Sequence, residues 1–287
     1  MSPSGTGAGA AYLLDKPAGI TSRNAAAGAA GYWKFRKFGH AGTLDPDATG
    51  LLVVLMGKAT RLSRFLTSCC KSYSFGVRLG IRTDTDDLSG KVMECNPVKD
   101  VTEEDILRAL KKFTGVLSQK VPSYSAVRVD GERAYSVARK GGVPDTPVRT
   151  VTAENWVMHQ WDGERVHLSV TVSSGTYVRA LARDLGEELG TGGAAFGIRR
   201  TRIDGLSVDQ ASRDHEDPNA LLSMASVMRS FPAVALDRAD TETVSHGGSV
   251  PGGREGLVAL HDPEGKLLAM AEGDGFCLKP LCVLVER

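Results

Sequence analysis

Residues 51–55, LLVVL, form an unbroken apolar run directly behind a loop of small residues, GHAGTLDPDATG at 39–50. A run of that length bounded by turn residues fits a short strand buried in the core. Gly39, Ala41, Gly42 and Thr43 let the chain turn tightly in front of it, and Pro46 fixes φ directly after Asp45. The loop thus holds one carboxylate in one pose on a rigid anchor, and connecting loops are where catalytic groups concentrate. From local composition alone, a solvated Asp in an ordinary turn is the competing reading.

The rest of the composition is that of a globular protein. At 287 residues, with 41% apolar and 24% charged residues, the chain has ample length for one large or two modest domains. No apolar run approaches the roughly 18–20 residues needed to cross a bilayer, and the first residues lack the basic and apolar regions of a signal peptide. Five cysteines without a CxxC pair argue against both a zinc site and a disulfide framework. A reducing cytoplasm is the expected location. The net charge of +1 hides a patterned distribution. Between Lys16 and Arg82 eleven Lys and Arg face only Asp45 and Asp47, and from Asp84 to Asp105 eight acids face Lys91 and Lys99. A local basic patch of this kind suits a polyphosphate backbone even when the total is near zero.

Periodicity places the elements. AYLLD (11–15) reads as a strand, Thr21 or Ser22 caps a helix reaching about Trp33, and Lys58–Cys69 carries apolar residues at helical spacing. Tyr73, Phe75, Val77 and Leu79 alternate with Ser74, Gly76 and Arg78, the period of a half-buried strand. Thr102 and Asp105 cap an amphipathic helix ending at Gly115. Thr150–Trp161 and Arg165–Val172 form a hairpin about WDG, and Tyr177–Leu189 is a helix. After Pro232 the segments LVALHD, KLLAMAE and CLKPLCVLVE read as a β-meander. The expected class is α+β, a mixed, mostly antiparallel central sheet flanked by helices. The expected division is a disordered tail at 1–10, a main domain at 11–231 and a small β-rich module at 232–287.

Three further stretches carry candidate side chains. KSYSFGVRLGIRTDTDD (71–87) puts Tyr73 on a strand and Asp84, Asp86 and Asp87 in the turn after it. PSYSAVRVDGERAY (122–135) is the second. In SSGTYVRALARDLG (173–186), Tyr177 and Arg179 lie in the first turn of a helix, from which a guanidinium can clamp the Asp45 carboxylate.

LLDKPAGITS (13–22), GHAGTLDPDATG, KATRL (58–62), KSYSFGVRLGIRTDTDDLSG (71–90), VPSYSAVRVDGERAYSVARKG (121–141), SSGTYVRALARDLG and RRTRIDG (199–205) stand in the order and approximate spacing of the bacterial TruB family, which the chain resembles over about residues 11–210. The resemblance implies the pseudouridine synthase catalytic fold and isomerisation of uridine 55 in the TΨC arm of tRNA, without cofactor or metal. It implies that Asp45 is the catalytic carboxylate, that Tyr73 stacks on the target base where the C5 proton leaves, and that Arg179 pairs with Asp45 beside Tyr177. It places His40 against the RNA arm, Asp87 at the displaced bases, Lys16 in a loop packed beside the catalytic one, and Arg61, where the family commonly has Lys, on the phosphate backbone. The implied partner is tRNA, with no membrane, and the protein is expected to be a monomer. Three departures stand out: Asp47, where an apolar residue is usual; FGI at 196–198; and a C-terminal module only loosely similar to a PUA domain, with RNA binding as its expected role.

These residue types suit the chemistry. An arm-bound uridine must be extruded at a cost of a few kcal/mol, and restacking on a tyrosine returns roughly 1–3 kcal/mol. A carboxylate can stabilise positive character at the sugar or attack covalently. Two rivals deserve weight. DPDAT (45–49) matches the DxDxT nucleophile motif of haloacid-dehalogenase phosphatases, which use Mg²⁺, but the approach KFGHAGTL is not the buried strand that family needs. The basic patch alone would also permit a passive RNA-binding module.

Overall fold

The computed structural model describes residues 9–129 and 131–284. The tail expected over 1–10 falls outside the described residues up to 8, and Ala10 already opens the first strand. The chain divides into two compact units. One takes the residues up to 46, 50–67 and those from 202 onward; the other takes 47–49 and 68–201.

In the first unit, strands Ala10–Lys16 and Thr49–Met56 pair antiparallel from Ala10 opposite Met56 to Lys16 opposite Gly50. LLVVLM is fully buried, as are Tyr12, Leu13 and Leu14. Removing such side chains from water contributes roughly 1.5–3 kcal/mol each. Helix Ser22–Tyr32 covers one face, laying Ala25, Ala26, Ala29 and Ala30 on Tyr12, Leu14, Leu52 and Val54. Its cap is Thr21, whose hydroxyl accepts from the Asn24 amide at 3.2 Å. Strand Phe38–His40 pairs antiparallel with Thr49–Met56, so the glycine-rich loop is the connection of a hairpin. The expected helix over 58–69 is split. Gly57–Leu62 is 3₁₀ and only Ser63–Ser68 is α-helical, because Thr60 Oγ1 bonds back to the Gly57 carbonyl at 2.8 Å and tightens the first turn.

The same unit contains the expected β-meander. Glu255–His261, Leu267–Asp274 and Cys277–Val283 are successive antiparallel strands. Ala233–Ala235 adds in parallel on one side and Val250–Pro251 on the other. Helix Arg238–Ser245 closes a separate apolar core through Val244, against Leu236, Val258, Leu260 and Leu278.

The second unit carries the sheet order Gly193–Ile203, Lys71–Leu79, Arg165–Val172, Val148–Trp161, Gly115–Lys120. Tyr73 lies opposite Val170. Helix Glu103–Lys112 begins with a reciprocal cap, Thr102 with Asp105. The departure at 196–198 has a packing reason: a Cβ on Gly76 would lie 2.1 Å from the Phe196 ring, which meets His167 edge-on. Phe196 therefore occupies the space a side chain at residue 76 would need. The class is α+β, as the periodicity implied.

Helix Val178–Glu188 approaches its neighbouring strand closely. A Cβ on Gly186 would come within 2.2 Å of the backbone at Gly192 and Gly193, which has no flexible end to move aside. Gly186→Ala is therefore expected to lower stability by about 1–3 kcal/mol, read as an earlier urea midpoint with unchanged slope. A midpoint equal to that of the parent would contradict this packing.

Candidate active site

The Asp45 loop is pinned from below by buried groups of its own unit. Lys16, fully buried at the end of its strand, donates from Nζ to the carbonyls of Pro17, Ile20 and Pro46, each at 2.8 Å. The Pro46 carbonyl also accepts the Gly19 amide at 3.0 Å. An ammonium has three donors and no acceptor, and a cluster of carbonyls is what makes its burial tolerable. Ser22, also buried, donates to the Leu44 carbonyl at 2.9 Å and accepts the Leu44 amide at 2.8 Å. The residues on both sides of Asp45 are thus fixed by side chains from the preceding strand and helix, while Asp45 itself is exposed. His40 lies opposite Val54 at the start of the loop, and its carbonyl accepts from Ser63 Oγ at 3.1 Å. Arg61 donates to the Val283 carbonyl, and Arg64 Nη2 to the Leu281 carbonyl at 2.7 Å, so both reach the last strand of the C-terminal sheet.

Tyr73, Asp87, Tyr177 and Arg179 belong to the second unit. Tyr73 is nearly buried on its strand. Two residues before it, burial and the nearby Arg200 cation push Lys71 down to about 8. Tyr177 is the N-cap residue of helix Val178–Glu188, its amide and carbonyl both held by the Gln119 side chain at 2.8 and 3.1 Å. Arg179, in the first turn, donates from Nη1 to the Thr85 carbonyl at 2.6 Å and from Nη2 to the Tyr124 carbonyl at 2.9 Å. Its Nε lies 3.6 Å from Asp87 Oδ2. Asp87 in turn accepts from Thr85 Oγ1 at 2.8 Å and from Ser89. Arg179 and Asp87 are therefore brought together, as are Lys16 and the Asp45 loop.

Sequence reasoning missed Ser22 as a loop anchor, Gln119 as the clamp on Tyr177, and Tyr124, whose hydroxyl donates to Asp84 Oδ2 at 3.2 Å. Ser22 left a signal as a second polar residue beside the helix cap, and Tyr124 as a member of the candidate stretch at 122–135.

Residues 31–178 match the N-terminal domain of the TruB family pseudouridylate synthases, and residues 231–285 match the C-terminal domain of tRNA pseudouridine synthase II. The chain belongs to the TruB family. The tRNA pseudouridine synthase B of Thermobifida fusca is 40% identical over 283 residues, 94% of this chain and 97% of that protein. That of Mycobacterium sp. strain KMS is 38% identical, covering 99% of this chain and 98% of its own. Among solved structures, a Cbf5-Nop10-Gar1 complex aligns with a TM-score of 0.74 at 26% identity, over 97% of this chain and 85% of that one. An H/ACA RNP bound to a substrate RNA containing 2′-deoxyuridine shares the fold, with a TM-score of 0.74 at 23% identity over 97% and 86%. TruB membership makes the chain an isomerase acting on uridine in tRNA. It also disposes of the phosphatase reading, as does the placement of Asp45 ahead of strand Thr49–Met56 rather than at the end of a strand.

The Lys16 anchor is directly testable. Lys16→Met leaves three carbonyls without their buried donor and is expected to lower unfolding free energy by about 3 kcal/mol in urea titrations. A loss below about 1 kcal/mol would show that the ammonium does not hold the loop.

Proposed function

We propose that this TruB-family enzyme converts uridine 55 in the TΨC arm of tRNA to pseudouridine, with Asp45 as the catalytic carboxylate. The observation that carries this reading is the loop itself: an exposed Asp between backbone positions locked by Lys16 and Ser22. The family pattern supplies the partners. Tyr73 stacks on the extruded uracil, Arg179 pairs with Asp45, and Tyr177 borders the pair. His40 meets the RNA arm, Asp87 the displaced bases, and Lys16 supports the loop. Arg61 serves the phosphate backbone beside the C-terminal module, which assists in gripping tRNA as one part of a chain organised as a catalytic domain at 11–231 and a module at 232–287. The enzyme works as a monomer in the cytoplasm.

The chemistry follows from these roles. The N1–C1′ glycosidic bond breaks, the base turns, C5 joins C1′, the C5 proton leaves to solvent and N1 takes up a proton, so atoms and charge balance with no net oxidation or reduction. An anionic carboxylate lowers the barrier by meeting positive charge as it grows at C1′. Preorganisation of the loop matters because a misplacement of about 1 Å can cost about a hundredfold in rate.

Asp45→Asn is expected to fold and to bind tRNA, yet to lose essentially all tritium release from 5-tritiated uridine in transcripts. Release from transcripts lacking only uridine 55 is expected to vanish with the parent enzyme. Substantial turnover by the variant would overturn the role of Asp45, and release from the transcript lacking uridine 55 would overturn the target.

A further inference from the structure

Helix Val178–Glu188 sets Arg179 and Arg183 one turn apart, so both guanidinium groups leave the same face. Each grips the same two stretches of chain. Arg179 holds the Thr85 and Tyr124 carbonyls. Arg183 donates from Nη1 to Asp86 Oδ2 at 2.9 Å and from Nη2 to the Lys120 carbonyl at 3.1 Å, while its Nε donates to Asp184 at 2.8 Å. Three successive residues of one turn are thereby held by two arginines: Thr85 through its carbonyl, Asp86 and Asp87 through their carboxylates.

Asp86 is the unusual member. Its φ is 61°, in the left-handed region that L residues occupy only at a cost, and its carbonyl accepts the Ala195 amide at 2.9 Å. This backbone reversal lets neighbouring carboxylates serve different arginines. The Arg183 and Asp86 side chains are only 16% and 13% exposed. Burial pushes the Asp86 carboxyl up, with the Arg183 and Arg179 charges pulling it back and Asp184 opposing them. An ion pair this sheltered is costly to break by removing one partner, and backbone strain held in place by its surroundings is a feature of functional sites.

We infer that Arg183 and Asp86 are positioning residues for the isomerisation, clamping the 85–87 turn so that the Thr85 carbonyl and the Asp87 carboxylate fix the Arg179 guanidinium. This rests on the reading of Arg179 as the partner of Asp45. The pair acts through Arg179 and does not itself meet substrate.

The test measures single-turnover tritium release and filter-binding affinity on tRNA transcripts for Asp86→Asn, Arg183→Gln and the double variant, beside Arg183→Lys and Arg179→Lys. Each single change is expected to slow the chemical step about tenfold while tRNA affinity stays within about twofold. The double variant is expected to fall no further than the worse single one, the signature of a coupled pair, and Arg183→Lys to recover part of the rate. A purely structural pair would lower the melting temperature and leave the rate of the folded variants at the parent value, which overturns the inference. Should Arg183→Gln not fold, parent rates in both Arg183→Lys and Asp86→Asn overturn it equally. An impaired Arg179→Lys beside fully active Arg183 and Asp86 variants defeats only this inference. A fully active Arg179→Lys defeats the role of Arg179 and this inference with it.

Discussion

One buried ammonium organises the loop on which the proposed function depends. Lys16 ends a strand whose central residues, Ala11 to Leu14, are apolar and inaccessible, and its charge is satisfied there by backbone carbonyls. Burying such a charge is expensive unless every donor finds a partner. The chain around 17–20 and the turn at Pro46 are therefore held wherever the ammonium sits. Ser22 repeats the device at the start of the following helix, holding both backbone groups of Leu44. A polar side chain bonded to both groups of one residue leaves that residue little freedom. Asp45 lies between these two fixed points, and its exposed carboxylate gains a direction from groups that never touch solvent.

The second unit uses a different device for its charged side chains. Arg179 and Arg183 are planar forks with several donors, suited to holding carbonyls and carboxylates together. Their grip ties the turn at residues 85–87 to the chain at 120–124. Gly186 completes the arrangement by letting the helix sit directly against the backbone of the strand that follows. The position of the arginines thus depends on a residue with no side chain. In both units buried polar groups with engaged donors hold the candidate loops in place.

Much of this was legible in the sequence where the physics is local. The LLVVL run became a core strand, the Thr102 and Asp105 pair became a reciprocal cap, and WDG became a hairpin turn stabilised by Asp162 accepting the amides of Glu164 and Arg165. The candidate side chains were legible as motifs, and TruB membership follows from them. What stayed hidden depends on partners far apart in the chain. Whether Thr21 or Ser22 caps the first helix was undecidable locally, because the answer lies with Leu44, which claims the serine. The 3₁₀ turn at 57–62 was hidden because apolar spacing does not register a threonine hydroxyl bonding back to Gly57. Asp86 looked like one more acid in an acidic turn, and its left-handed backbone and buried arginine partner emerge only when residues 86 and 183 meet.

The proposed function requires a rigid loop that aims Asp45 at the sugar of an extruded uridine. The most direct measurement is a crystal structure of the enzyme bound to a tRNA arm carrying an unreactive uridine analogue at the target position. An Asp45 carboxylate oxygen is expected about 3–3.5 Å from C1′ of the flipped nucleotide, with the Lys16 bonds to Pro17, Ile20 and Pro46 intact. A carboxylate more than about twice that distance away, or a loop rebuilt around a released Lys16, would contradict it.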